Sequence, residues 1–233
     1  MKISTFKWEE ELIEKQEFSF VIGTDEAGRG PLAGPVVACA AVAKNRDWKN
    51  LEGKNWDLVR DSKKLSPKQR DITFDFILEN FYVGIGLCDH GTIDEINILQ
   101  ASFLAMKKAL TDVYGKINQD LAKNPHNGAQ RIQDTKYIVL VDGNKKIPNL
   151  SLYQKAVIGG DGIVKSISAA SIIAKVTRDR MMLDAHEKFP HYGFDRHKGY
   201  GTKAHMEALN KLGPCEIHRQ SFEPMPTLAK KRY

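Results

Sequence analysis

Short apolar runs alternate along this chain with stretches in which apolar residues return every three or four positions. That mixture predicts strands and helices within one body. Phe18 to Thr24 (FSFVIGT) and Val36 to Val42 (VVACAAV) read as strands, as do Tyr82 to Cys88 (YVGIGLC) and Ala156 to Ile158. Tyr137 to Val141 (YIVLV) is apolar on both faces, which suits a central strand covered on both sides. Between the first two strands lies DEAGRGPLAGP, residues 25–35, whose three Gly and two Pro interrupt regular structure, so those strands are expected to pair antiparallel.

Helix signals fill the intervals. Ser66-Pro67-Lys68-Gln69 offers a capping residue, Pro at the first helical position and Gln three after the cap, followed by Ile72, Phe76 and Ile77. Thr92 with Glu95 predicts a second capping box, opening one helix through Ile93, Ile96, Leu99, Phe103, Leu104 and Leu110. Ser166 to about Lys188 predicts a long helix, and Thr202 caps another that ends at Gly213-Pro214. Residues 1–18 are polar with room for a short helix, Lys44–Arg60 is expected as a surface loop, and Asn124–Asp134 as a mobile loop. No repeat or interior linker divides the chain, so one α/β domain with a helical C-terminal extension is expected.

Composition narrows the class. With 42% hydrophobic and 27% charged residues among 233, the chain can bury a core without disulfides or structural metal. Its longest uncharged run, Pro31–Ala43, spans thirteen residues, short of the ~20 a membrane helix needs. The acidic N-terminus lacks the apolar core of a signal peptide. Cys39, Cys88 and Cys215 are far apart and odd in number, which predicts reduced thiols in a cytosolic protein. The net charge of +6 favours a polyanionic partner wherever basic residues gather beside a site.

Four acids occupy positions where α/β folds place their chemistry. Asp25 and Glu26 follow one apolar strand, Asp142 follows another, and Asp161 lies in a Gly-rich turn before the long helix. Brought together, they would repel, and Mg²⁺ or Mn²⁺ would relieve that repulsion through oxygen ligands. A pair of such ions ~3.5–4 Å apart stabilises both the attacking and leaving oxygens of a phosphodiester displacement. Neighbouring residues on a regular strand face opposite ways, so Asp25 and Glu26 share a site only if the strand ends or bends there. Each acid also suits a plainer role: Asp25, Asp142 and Asp161 as turn formers, Glu26 as a surface charge. Gly28-Arg29-Gly30-Pro31 reads either as a backbone nest for an anion or as a tight hairpin connection. Lys63 and Lys64 precede a capped helix, and Lys175, Arg178 and Arg180 follow Asp161. Arg196, His197, Lys198 and Lys203 surround Tyr200. Such runs are solvated faces or, where an aromatic is interleaved, nucleic-acid contacts.

Taken in order, IGTDEAGRGPLAGPVV (22–37), DSKKLS (61–66), VDGN (141–144), SISAASIIAKVTRDRMM (166–182), HKGYGTKAH (197–205) and HRQSFEP (218–224) resemble the motifs of bacterial ribonuclease HII, a type 2 ribonuclease H. The resemblance covers roughly residues 18–226, with 1–17 as an N-terminal extension and 227–233 as a tail. It implies a ribonuclease H-like α/β fold, a mixed central sheet flanked by helices with a helical C-terminal extension. It also implies an endonuclease that cuts the RNA strand of RNA–DNA hybrids and nicks duplex DNA 5′ of embedded ribonucleotides. Two Mn²⁺ or Mg²⁺ ions would act there, leaving 3′-hydroxyl and 5′-phosphate ends. The family's catalytic and metal-binding acids fall on Asp25, Glu26, Asp142 and Asp161. Its GRG motif falls on Gly28, Arg29 and Gly30, whose backbone would read the ribose 2′-OH. Its junction tyrosine falls on Tyr200, and Ser62 and Lys63 resemble substrate-backbone contacts. A monomer without membrane attachment, in the cytoplasm, is expected.

The sequence departs from the family pattern in three places. Gly159 stands where a Lys is usual, 44–60 and 124–135 are longer than usual, and the terminal PTLAKKRY lacks the aromatic pair that docks on a sliding clamp. Three rivals make different demands. Ribonuclease HIII would carry an extra N-terminal domain, no GRG motif and Glu as the fourth acid. A hybrid-binding protein without catalysis would bind but not cut, and a generic metal-dependent phosphodiesterase of the same fold would also cut all-DNA duplexes.

Overall fold

A computed structural model describes residues 4–16, 18–45, 53–123 and 136–230. Its sheet has five strands: β1 (Phe20–Ala27), β2 (Val36–Ala43), β3 (Phe81–Cys88), β4 (Tyr137–Asp142) and β5 (Tyr153–Val157), in the order β3-β2-β1-β4-β5. β1–β2 and β2–β3 are antiparallel, whereas β1–β4 and β4–β5 are parallel. The helices are α1 (Lys7–Gln16), α2 (Lys54–Leu58), α3 (Pro67–Asn80), α4 (His90–Ile96), α5 (Ile98–Lys123), α6 (Lys165–Lys188), α7 (Phe194–His197), α8 (Lys203–Leu212) and α9 (Met225–Lys230).

Side-chain alternation along the strands divides the core. Val36, Ala38 and Ala40 join Ile22, Val139 and Val141 beneath Ala105, Met106, Ala109 and Val113 of α5. The opposite set, Cys39 and Ala41, packs with Phe74 and Ile77 of α3 and Ala169, Ala170 and Ile173 of α6. Burying each aliphatic side chain contributes about 1.5–3 kcal/mol. The small residues of β1 and β2 bring α6 close: a Cβ at Gly23 would lie 2.3 Å from the Ile167 backbone nitrogen. This contact seats α6 directly over the strand that ends in Asp25 and Glu26.

Most of the predicted elements are present, and three differ for local reasons. The capping box at Ser66 and Gln69 forms as expected. The single helix expected from Thr92 is two, because Asn97 adopts φ 66° and its Oδ1 accepts from the Leu99 and Gln100 amides, restarting the chain as α5. Asp89, rather than Thr92, caps α4. The expected loop 44–60 contains α2, with Trp56 and Val59 buried and Trp56 packed on Phe6, Phe76 and Phe81. Residues 46–52 of that stretch and the 124–135 stretch lie outside the described residues.

The segment expected as an N-terminal extension packs into this body. Phe6 and Leu12 are buried, and the buried Glu9 accepts from the Ser166 amide, capping an α6 N-terminus that lacks a side-chain cap of its own. Among the described residues no helix is long and apolar enough to cross a membrane.

Candidate active site

Parallel pairing of β1 with β4 runs from Phe20↔Tyr137 to Thr24↔Val141. One step beyond, the same register sets Asp25 beside Asp142. Parallel neighbours on adjacent strands are ~4.8 Å apart, so these carboxylates emerge side by side at one end of the sheet. β1 neither ends nor bends before Glu26: Asp25 pairs with Cys39 and Glu26 with Ala38. The alternation therefore holds. Asp25 lies on the α6 face, where Ser171 hydrogen-bonds its carboxylate, and Glu26 lies on the α5 face. There Glu26 lines a cavity of about 80 Å³ with Leu99, Phe103, Asp142 and Lys145, and accepts from Arg29 at 3.1 Å.

Asp161 comes from the turn after β5. Gly160–Gly162 form a single 3₁₀ turn, the Asp161 amide faces Asp142 Oδ1 at 3.4 Å, and Ser168 Oγ donates to the Asp161 carbonyl at 2.7 Å. Lys63, largely exposed, approaches Asp161 Oδ2 at 3.9 Å. Ser62 was expected as a substrate contact. It is buried, and its hydroxyl meets Ser171 Oγ at 3.0 Å, placing it behind Asp25 rather than at the surface. Gly159 adopts φ 64°, and among the described residues a Cβ there would meet no atom within 4 Å.

The electrostatics follow from this crowding. Burial, then Glu26 and Asp142, holds the Asp25 carboxyl well above the usual range. Burial also raises Glu26 against the opposing pull of Arg29, and raises Asp161 with help from Asp142 and Asp61. Burial works against the Lys63 charge, but Asp161, Asp25, Asp61 and Asp142 together outweigh it and raise its pKa. Among the described residues, the ion pairs at this end reach Glu26 and Asp161 and leave Asp25 without one. No three His, Cys, Asp or Glu side chains among those residues form a ready-made chelate. The donor set nevertheless fits a hard divalent cation: the ligands are all oxygen, and their repulsion is relieved by positive charge.

This strain has a measurable consequence. A carboxyl raised in the folded state binds its proton above the unfolded value, so its favourable contribution is present at low pH and lost as pH rises through the raised pKa. Asp25→Asn should therefore stabilise the metal-free protein at neutral pH, with the gain shrinking as pH falls. Urea unfolding in chelator at several pH values reads this directly.

The Gly-rich loop is built from behind by two buried arginines. Gly28 has φ 101°, and a Cβ there would lie 2.2 Å from Arg178 Nε and 2.7 Å from the Pro35 carbonyl, so only Gly fits. Arg178 donates to the carbonyls of Pro35 (2.9 Å), Lys198 (3.0 Å) and Ala33 (3.1 Å). Arg219 donates to those of Gly34 (3.0 Å), Arg29 (3.0 Å) and Gly28 (2.6 Å). Arg178 is therefore not part of a solvated face, since its side chain is fully buried. Its neighbours are engaged too: Lys175 pairs with Asp179, and Arg180 lies over Phe74 beside Asp71. Tyr200 is 44% exposed and its ring edge lies 3.6 Å from where a Gly30 Cβ would stand. The loop and the tyrosine thus form one surface, with the carboxylates at the same end of the sheet. Arg219, in the HRQSFEP block, was not among the expected site residues; a charged residue in that block gave no signal that it would be buried.

Comparison with known proteins agrees with this arrangement. A family model described as Ribonuclease HII matches residues 22–225. A ribonuclease HII of Caldicellulosiruptor bescii is 48% identical over 218 residues, covering 93% of this chain and 92% of the relative. The ribonuclease H2 of Pyrococcus horikoshii OT3 superposes with a TM-score of 0.61 at 26% identity, covering 91% of this chain and 98% of that one. Bst-RNase HIII, solved in complex with Mn²⁺, gives a TM-score of 0.59 at 18% identity over 92% of this chain and 71% of its own, which shows the fold alone. The α/β architecture with its mixed sheet is thus ribonuclease H-like, as expected.

Proposed function

The chain belongs to the ribonuclease HII family, and we propose that its Asp25, Glu26, Asp142 and Asp161 hold the divalent cations on which its chemistry depends. It is a metal-dependent endoribonuclease that cleaves RNA in RNA–DNA hybrids and at ribonucleotides embedded in DNA. The observation that carries the residue assignment is the Asp25–Asp142 register: two carboxylates from adjacent strands, repelling one another in a largely buried setting. Mn²⁺ and Mg²⁺ are the ions proposed, and the Mn²⁺ complex of the ribonuclease HIII relative supports the first. When bound, such ions polarise the phosphoryl group and lower the pKa of a water.

The protein's own groups orient the rest. Asp25 and Asp142 anchor the site on rigid strands, with Ser171 and behind it Ser62 fixing the Asp25 carboxylate. Asp161 sits on a turn tied by Ser168 and would complete the ligand set with substrate bound. Glu26, on the other face, lines a cavity with Asp142 and keeps one carboxylate oxygen outside its Arg29 contact, and that oxygen would be the one available to an ion. Hydrolysis at this site leaves 3′-hydroxyl and 5′-phosphate ends.

Substrate selection falls to the adjoining surface. The backbone of Gly28, Arg29 and Gly30 faces the ribose 2′-OH, the group that distinguishes RNA from DNA. Lys63 meets a phosphate, and Tyr200 stacks on the deoxyribose after the ribonucleotide. Residues 18–226 form the catalytic unit, with α1 docked on it, and the protein acts as a monomer. The free thiols of Cys39, Cys88 and Cys215 fit a reducing, cytoplasmic setting.

Tyr200→Ala tests the junction role. Cutting at a single embedded ribonucleotide should fall roughly tenfold more than cutting of a continuous RNA tract, consistent with stacking of about 1–3 kcal/mol. Equal losses on the two substrates would remove Tyr200 from the junction.

A further inference from the structure

Two fully buried histidines take no part in the carboxylate chemistry. His205, on α8, and His218, in the turn that follows it, face each other with their Nε2 atoms 3.0 Å apart. His205 Nδ1 lies 3.0 Å from the carbonyl oxygen of Tyr200. A carbonyl only accepts, so Nδ1 carries the hydrogen. Burial pushes both imidazoles down to about 4, so at neutral pH each ring holds a single hydrogen. His205 Nε2 is then bare and accepts from His218 Nε2–H. His218 Nδ1 is bare in turn, and accepts from the Cys215 amide at 2.9 Å. One set of tautomers satisfies the chain Cys215 N–H to His218 to His205 to Tyr200 C=O. Cys215 Sγ and the Cys215 carbonyl oxygen also lie near His218 Nδ1, at 3.1 and 3.2 Å, and that nitrogen is bare because His218 Nε2 must donate to His205.

The rest of the Tyr200 loop is held in the same manner. His197 accepts from the Gly199 amide at Nδ1 (3.2 Å), donates from Nε2 to the Tyr192 carbonyl (2.8 Å), and stacks on His205 at 4.5 Å. The residue after His218 is Arg219, whose guanidinium fans onto the carbonyls of Gly28, Arg29 and Gly34. Its amide donates to the Leu32 carbonyl (2.9 Å), and the Leu32 amide donates to the Gly199 carbonyl (2.8 Å). One dipeptide therefore reaches the tyrosine loop through its histidine and the glycine loop through its arginine.

We propose that His218-Arg219 is a clasp fixing Tyr200 at a set distance from the Gly28–Gly30 loop, and that His205 and His218 are positioning residues for cutting at a single-ribonucleotide junction. This rests on the assignment of Tyr200 and the glycine loop as substrate readers. A continuous RNA tract offers a 2′-OH at every step and tolerates a displaced tyrosine. A lone ribonucleotide does not, because loop and ring must engage adjacent sugars together.

The test uses two substitutions that mimic different ring nitrogens. Asn places an amide N–H near the Nδ1 position and preserves the bond to Tyr200. Gln reaches the Nε2 position and keeps the His218 contact but loses the Tyr200 carbonyl. Both forfeit the ring and its stacking on His197. The readout is the ratio of cutting rates on a duplex with one ribonucleotide and on a hybrid with a continuous RNA strand.

Because the clasp runs through both contacts and each variant keeps only one, His205→Asn and His205→Gln should both lower that ratio roughly five- to tenfold, toward the Tyr200→Ala value, as expected for losing about one hydrogen bond. A ratio within about twofold of wild type in either variant would overturn the clasp. An unchanged ratio in Tyr200→Ala would overturn instead the junction assignment beneath it. Imidazole ¹⁵N spectra of the wild-type protein give an independent check that needs no variant. They should show His205 protonated at Nδ1 and His218 at Nε2, and the opposite pair of tautomers would overturn the proposal.

Discussion

Asp142→Asn is expected to lower turnover by about three orders of magnitude while leaving the fold in place. The substitution changes almost no volume, and asparagine retains an oxygen that can accept from the Asp161 amide, which faces Asp142 Oδ1 at 3.4 Å. What it removes is a negative charge at the position where β4 delivers its last residue beside Asp25. Losing several kcal/mol of charge stabilisation from a metal-assisted displacement corresponds to about 10³-fold in rate, at about 1.4 kcal/mol per tenfold. Steady-state cutting and Mn²⁺ titration calorimetry should fall together, while urea unfolding in chelator stays within about 1 kcal/mol of wild type or improves. Normal ion affinity with lost turnover would place Asp142 outside the metal set.

Arg219→Ala is expected to be the most damaging change to stability near the site. The buried guanidinium satisfies the carbonyls of Gly28, Arg29 and Gly34, and its removal leaves three acceptors around a cavity. Each buried acceptor left unpaired costs about 1–3 kcal/mol, and water entering the space recovers part, so a loss of about 3–5 kcal/mol follows. Arg219→Lys should not restore it, because an ammonium cannot fan onto three carbonyls as a planar guanidinium does. Urea denaturation of the three proteins decides the matter. A loss below about 1 kcal/mol for Arg219→Ala would show that the loop holds its shape unaided.

The strands and most helices were legible because their apolar spacing is the direct imprint of one buried face. The position of Asp142 at the end of its strand and of Asp161 in the turn before the long helix was legible for the same reason, whereas β1 runs two residues past Asp25. The family motifs supplied what spacing left open, including Tyr200 and the glycine loop. The face of Glu26 was not decided by sequence: Gly28 and Gly30 allowed a bend, but pairing with β2 carries β1 through Ala27 and holds Glu26 opposite Asp25. Arg178 and Arg219 were illegible as buried residues, because all but one of their partners, the Lys198 carbonyl, are backbone carbonyls more than 140 residues away, with Arg178–Ala33 separated by 145 and Arg219–Gly28 by 191. The break at Asn97 was hidden because apolar recurrence continues across it, and a single left-handed residue leaves little trace in composition. Trp56 was overlooked among charged neighbours, although a large aromatic in a polar stretch is itself a hint of a buried anchor.

The central claim is that carboxylates distant in sequence converge on divalent ions at the scissile phosphodiester. Its most direct test is a product map on an end-labelled DNA duplex holding one ribonucleotide, run with Mn²⁺, with Mg²⁺ and with chelator. The predicted result is a single nick 5′ of the ribonucleotide, bearing 3′-hydroxyl and 5′-phosphate ends, absent in chelator and restored by either ion. Cutting that persists in chelator, or binding with no cut under either ion, would contradict it.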